Sequence, residues 1–207
     1  MALNIPNMLT VGRIAVIPVL VSLIYLPNNW IASTSAQYLA TVLFVLAALT
    51  DWLDGWLARR LNQTTAFGAW ADPVADKLIV CASLIVLVHI GRVHSVIAIV
   101  ILSREIAVSA LREWMAQVGE TKSVAVAFVG KLKTTVQMVA IPFLLIDARP
   151  FSFVGTREIG TVLIWAAAIL TVWSGAHYMR VALEAMTKRD KQLAGSTAAV
   201  KSRPEVA

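Results

Sequence analysis

Between Thr50 and Lys77 the chain reads TDWLDGWLARRLNQTTAFGAWADPVADK, and this stretch holds Asp51, Asp54, Asp72 and Asp76 in a protein with only 12 acidic residues. On a helix, Asp51 and Asp54 stand three residues apart and Asp72 and Asp76 four apart, so each pair projects from one face and can act as a claw. Four carboxylates brought together repel one another and lose hydration unless cations neutralise them. Oxygen-only ligands select hard ions, which points to magnesium or manganese, with calcium as a substitute. The residues between the claws suit a phosphate-bearing ligand. Gly55 and Gly68 let a backbone or a flat group approach closely and Ala58 is nearly as small, while Arg59 offers a planar fork that matches phosphate oxygens.

The elements that must position these groups are apolar. Hydrophobic residues make up 58% of the chain and charged ones 14%, and the mean hydropathy is +0.75. Those values lie outside the range of soluble domains and predict an all-α integral membrane protein. Runs of about 17–25 apolar residues, the length that crosses a hydrocarbon core, predict six transmembrane helices near 10–26, 37–58, 74–91, 95–112, 132–147 and 158–182. Short connections join them into one domain of packed helices over 1–187, followed by a basic, mobile tail over 188–207. Arg13 lies near the start of the first run, which is expected to begin in the interface with Arg13 snorkelling to water. Pro73 fits the first turn of the third span, where no amide donor is lost; an earlier helix start would place a kink there and alter the second claw. MALNIPNML carries no basic n-region and no small-x-small site follows, so a cleaved signal peptide is not expected.

Basic residues give the orientation, because Lys and Arg are retained on the cytoplasmic side. Arg59 and Arg60 follow span two, Lys122 and Lys131 follow span four, and Lys188, Arg189, Lys191, Lys201 and Arg203 crowd the tail. The opposite connections hold Arg92, Arg149 and Arg157. Both termini, and a polar metal-containing cavity, are therefore expected at the cytoplasmic side. The net charge of +6 is explained by this topology and by anionic lipid; no soluble basic module for nucleic acid is visible. Cys81, the one cysteine, excludes an internal disulfide and a CxxC metal site.

Charged groups inside apolar spans are costly, so the aspartates mark a functional site. That cost argument is met equally by an enzyme and by a cation-coupled transporter. A transporter is expected to show repeats or broken helices around a midplane site, whereas here the acids gather toward one membrane face and no repeat is evident. Arg104 and Glu105 interrupt the fourth run, and Arg112 and Glu113 follow at its end. Arg104 and Arg112 differ by about 80° around an ideal helix, so both can face one cavity. Lys131 and Lys133 open the fifth span beside Thr134 and Gln137. These residues are either interfacial and helix-pairing groups or the wall of a second polar site. His89, His94 and His177 are scattered, without metal-ligand spacing.

The arrangement Asp51-x-x-Asp54-Gly55-x-x-Ala58-Arg59, eight residues, Gly68-x-x-x-Asp72-x-x-x-Asp76 resembles the complete motif of the CDP-alcohol phosphatidyltransferases, with every position filled at the family's spacing. Such a long, discontinuous match is specific. NIPNMLTVGRIAVIP, DPVADK, SREIAVSALREWMA and GKLKTTVQM are similar, in particular, to family members whose acceptor is sn-glycerol 3-phosphate. The resemblance implies a six-helix, homodimeric membrane enzyme that moves a phosphatidyl group from CDP-diacylglycerol to the acceptor and releases CMP. It further implies that Asp51, Asp54, Asp72 and Asp76 hold two divalent ions, Mg2+ or Mn2+, and that Asp76 is the base for the attacking hydroxyl. Gly55, Ala58, Arg59 and Gly68 would line the CDP site. Pro6, Asn7 and Thr10 match cytidine-side contacts, although a turn and N-cap explain them equally. With that acceptor, Arg104, Arg112, Lys131 and Lys133 are expected to bind its phosphate, a dianion that requires positive charge. A cardiolipin-type or other CDP-alcohol transferase stays open, because the acceptor rests on the secondary segments.

Overall fold

The computed structural model of the chain describes residues 5–61, 65–117, 124–146, 148 and 155–201. Among them are six helices: α1 (Ile5–Tyr25), α2 (Ser33–Leu61), α3 (Ala66–His89), α4 (Ser95–Gln117), α5 (Val124–Ile146) and α6 (Thr156–Lys201). Helices are the form that satisfies every backbone donor and acceptor without water, which an apolar chain in lipid requires. Stretches of α1 (7–25), α2 (33–51) and α6 (156–187) are long and apolar enough to cross a bilayer. Their outward faces agree with that length. Val42, Val45, Leu46 and Leu49 of α2 form an exposed apolar row, as do Val162, Trp165, Ile169, Val172 and Trp173 of α6. In water such rows would be aggregation-prone patches; against acyl chains they are the expected surface of a membrane protein.

Inside, α1 lies against α2 and α3, α5 pairs with α6, α4 packs on α6, and α2 meets α5. Leu20, Phe44, Leu84, Leu87, Ile101, Ile141, Leu144 and Ile164 fill the shared core, with Ala40, Ala47, Ala140 and Ala168 where helices come close. One end of the bundle is tied by Arg92. α3 finishes in a Schellman turn, with Gly91 at φ 69 and the Arg92 amide donating to the Leu87 carbonyl at 2.8 Å. The Arg92 guanidinium then donates to the Leu144 and Leu145 carbonyls at 2.6 and 2.7 Å and to Gln37 Oε1 at 2.7 Å. A cation thereby meets the carbonyl end of α5, where the helix dipole favours it, and joins the end of α3 to the start of α2. All four aspartates are carried toward the other end.

The structure differs from the sequence-based expectations at three places. α3 begins at Ala66, so Pro73 lies well inside the helix and removes the amide that would have met the carbonyl four residues earlier. The start is fixed by Thr65, an extended N-cap (φ −119, ψ 152) whose hydroxyl accepts the Gly68 amide at 3.0 Å. α6 runs on to Lys201, so most of the expected mobile tail over 188–207 is helical. Arg13, expected to snorkel, is buried, because carboxylates on α2 and α3 offer its guanidinium stronger partners than water does.

Candidate active site

Three helices meet around the aspartates. α2 brings Asp51, α3 brings Asp72 and Asp76, and α1 presents Asn7, Thr10 and Arg13 at successive three-residue steps along one broad face. Arg13 Nη1 donates to Asp51 Oδ1 at 2.5 Å and to Asp76 Oδ1 at 2.8 Å, with the arginine side chain 1% exposed. Thr10 Oγ1 donates to Asp72 Oδ1 at 2.5 Å. Thr65 Oγ1 donates to Asn7 Oδ1 at 2.8 Å while accepting from Gly68. Asp51, Asp72 and Asp76 are therefore each held by a residue of α1. Gly68 explains the closeness of this corner: a Cβ there would stand 2.9 Å from Asn7 Oδ1 and 3.2 Å from Thr65 Oγ1. Asp54, Gly55, Ala58 and Arg59 follow Asp51 along α2, but their side chains lie outside the described residues.

A divalent ion fits the chemistry of this corner. Its donors are carboxylate oxygens from two helices, the set that hard cations take, and a cationic group already bridges Asp51 and Asp76. Among the described residues, no three His, Cys, Asp or Glu side chains are gathered tightly enough to hold an ion. Asp54, the second tooth of the α2 claw, would have to complete the set.

Beside Asp76 opens a cavity of about 240 Å³ walled by α3, α4 and α5, whose lining includes Asp76, Lys77, Arg104, Glu105, Arg112 and Gln137. Pockets for drug-sized ligands run to about 300–1,000 Å³, so this one suits a small polar molecule. The two arginines are placed by α6. Arg104 Nη2 donates to Ser174 Oγ at 2.8 Å, and the guanidinium carbons of Arg104 and Arg112 lie 5.9 and 5.3 Å from the centre of the Tyr178 ring. That ring is a cation–π platform that orients both forks. Two buried atoms of the wall, Arg104 Nε and Gln137 Oε1, have no hydrogen-bond partner among the described residues. A buried donor and a buried acceptor of this kind are costly unless a ligand or water meets them.

Of the expected phosphate-binding set, Arg104 and Arg112 thus share a cavity with the expected base. Lys133 does not line it; the residue is buried and its ammonium is ion-paired with Glu105. The Lys131 side chain lies outside the described residues. Sequence reasoning put Arg13 in the interface rather than in the site and passed over Thr65, Lys77, Ser174 and Tyr178. The spacing Asn7-x-x-Thr10-x-x-Arg13 carried a usable signal, since it puts three polar groups along one side of an apolar helix. Ser174 and Tyr178 carried none, being ordinary residues of a long apolar run.

The family model for CDP-alcohol phosphatidyltransferase matches residues 3–173. The chain belongs to this family. The match spans the aspartate corner and the cavity beside it and stops short of Tyr178. Among curated proteins, this CDP-alcohol phosphatidyltransferase is similar to the CDP-diacylglycerol--glycerol-3-phosphate 3-phosphatidyltransferase of Escherichia coli (strain K12), 45% identical over 88% of this chain and 96% of the relative. The protein of that name from Salmonella choleraesuis (strain SC-B67) is 46% identical over the same shares.

Proposed function

We propose that this chain transfers the phosphatidyl group of CDP-diacylglycerol to sn-glycerol 3-phosphate and releases CMP, a step of phospholipid biosynthesis. The observation that carries the acceptor is the cavity: it sets the Asp76 carboxylate beside Arg104 and Arg112, a proton acceptor next to a phosphate-sized concentration of positive charge. The relatives' names point to the same acceptor.

In this reading Arg104 and Arg112 hold the acceptor's phosphate through charge-assisted hydrogen bonds, and Gln137 Oε1 accepts from a glycerol hydroxyl. Asp76 takes the proton of the attacking hydroxyl as its oxygen bonds the phosphatidyl phosphorus, and the phosphorus–oxygen bond to CMP breaks, CMP leaving with the electron pair. Two ions, Mg2+ or Mn2+, held by Asp51, Asp54, Asp72 and Asp76, supply charge stabilisation to the pyrophosphate when bound. Asn7, Thr10, Gly55, Ala58, Arg59 and Gly68 form the donor's CDP side, and Thr10 sets the orientation of the Asp72 carboxylate. All six helices span the cytoplasmic membrane, with both termini and the active site on the cytoplasmic side, and the enzyme works as a homodimer.

Purified protein is incubated with CDP-diacylglycerol, magnesium and, in turn, glycerol 3-phosphate, glycerol and phosphatidylglycerol, and CMP is measured. Release is expected with glycerol 3-phosphate, to be abolished by chelation and restored by magnesium or manganese. Release with phosphatidylglycerol alone would move the chain to a cardiolipin-type reaction. Full activity after exhaustive chelation would remove the two ions from the account.

A further inference from the structure

A single nitrogen, Arg13 Nη1, stands between the two claws, 2.5 Å from Asp51 Oδ1 and 2.8 Å from Asp76 Oδ1. Its side chain is almost wholly buried, whereas those of Asp51 and Asp76 are about one-third exposed, at 31% and 38%. The carboxylates are thus open to an incoming ligand, and the cation behind them is not. Charge-assisted bonds of this kind are among the strongest a side chain makes. The oxygens that Arg13 holds belong to residues of both expected ion-binding pairs. A divalent ion with oxygen contacts of about 2.1 Å would draw on the same lone pairs and repel the guanidinium.

We propose that the Arg13 guanidinium is a resident counter-cation: it ties Asp51 to Asp76 while no divalent ion is bound and gives up both carboxylates as the ion enters. The proposal rests on the two-ion reading above and adds an antagonism to it. Two consequences follow from the geometry. Without ions, α1 is fastened to α2 and α3 through Arg13, so the corner keeps its shape and its carboxylates do not repel one another apart. With ions, four aspartates are balanced by two divalent charges, and the arginine's charge, still behind the carboxylates, adds to the positive field at the anionic pyrophosphate of the donor. Arg13 is a positioning residue in the first state and part of the donor's electrostatic surroundings in the second.

The test is metal binding in the absence of any substrate. Full-length wild type, Arg13→Gln and Arg13→Lys are purified in detergent, stripped with chelator and titrated with Mn2+, free ion being read by electron paramagnetic resonance. Losing a competing charge-assisted bond corresponds to roughly 10- to 100-fold in affinity, so Arg13→Gln should bind Mn2+ at least about tenfold more tightly than wild type. Arg13→Lys, which keeps a cation but lacks the arginine's planar reach, should fall between them. Melting temperatures give a second readout: added Mn2+ should raise the Tm of Arg13→Gln by more than that of wild type, because its ion-free corner has lost its tie. If Arg13→Gln does not fold without metal, tighter binding by Arg13→Lys than by wild type carries the proposal alone. Equal or weaker Mn2+ affinity in the foldable variants would overturn the exchange while leaving the two-ion reading in place, since Arg13 would then merely orient the ligands. Absence of Mn2+ binding to every form, wild type included, would overturn both.

Discussion

Asp76 is the residue in which the chemistry converges, since it faces the cavity and is also a member of the second claw. If it is the base, Asp76→Asn should lower turnover by about 10²–10⁴-fold, the range of a positioned proton acceptor, while CDP-diacylglycerol affinity changes little. Metal occupancy is measured in the same variant, and near-normal turnover with full occupancy would reassign the role. Gly68 makes a different prediction. A methyl group at 2.9 Å from Asn7 Oδ1 and 3.2 Å from Thr65 Oγ1 must push both aside and loosen the N-cap of α3, a loss of about 1 kcal/mol. Gly68→Ala should therefore lower Tm by only a few degrees yet raise the KM for CDP-diacylglycerol severalfold, because the added methyl group also comes within 3.9 Å of Asp72 Oδ2. A normal KM would detach this corner from the donor site.

At the scale of elements, α6 is the part that the sequence concealed. Its apolar run announces a membrane span and nothing more, yet Ser174 and Tyr178 aim Arg104 and Arg112 across a separation of some seventy residues that no local pattern encodes. Tyr178→Leu keeps most of the volume and removes the platform. Cation–π contacts contribute about 0.5–2 kcal/mol, so the KM for glycerol 3-phosphate should rise roughly 2- to 30-fold, with CDP-diacylglycerol binding intact, in steady-state kinetics. The claws, by contrast, were legible, because helical spacing alone puts each aspartate pair on one face, and a glycine at 68 signals close approach. The helix starts were less so: Thr65 caps α3 eight residues before Pro73, and the Gly68, Asp72, Pro73 and Asp76 of its first turns break the apolar run that a span count follows. Arg13 was misplaced for a related reason. Snorkelling is the default for a basic residue near a span's end, and only the folded packing of α1 on α2 and α3 brings carboxylates within its reach.

The molecule as a whole has two unlike ends. Arg92 closes one by gathering α2, α3 and α5; the aspartates, Arg112 and the cavity make the other. In the proposed orientation, which rests on the bias of lysine and arginine, the second faces the cytoplasm. Single cysteines at Gln63 and Gln192 in a Cys81→Ala background should then be shielded from impermeant reagents in intact cells, whereas one at Asn29 should react; the reverse pattern would put the active site outside. The central claim is that the cavity beside Asp76 seats the acceptor while the donor lies on the aspartate corner. The most direct test is the kinetics of Arg112→Ala with both substrates varied. Loss of one charge-assisted bond to phosphate corresponds to about 10- to 100-fold, so the KM for glycerol 3-phosphate should rise by that factor while CDP-diacylglycerol affinity stays near that of the parent. An unchanged KM for glycerol 3-phosphate together with lost CDP-diacylglycerol binding would instead assign the arginines to the donor and contradict the account.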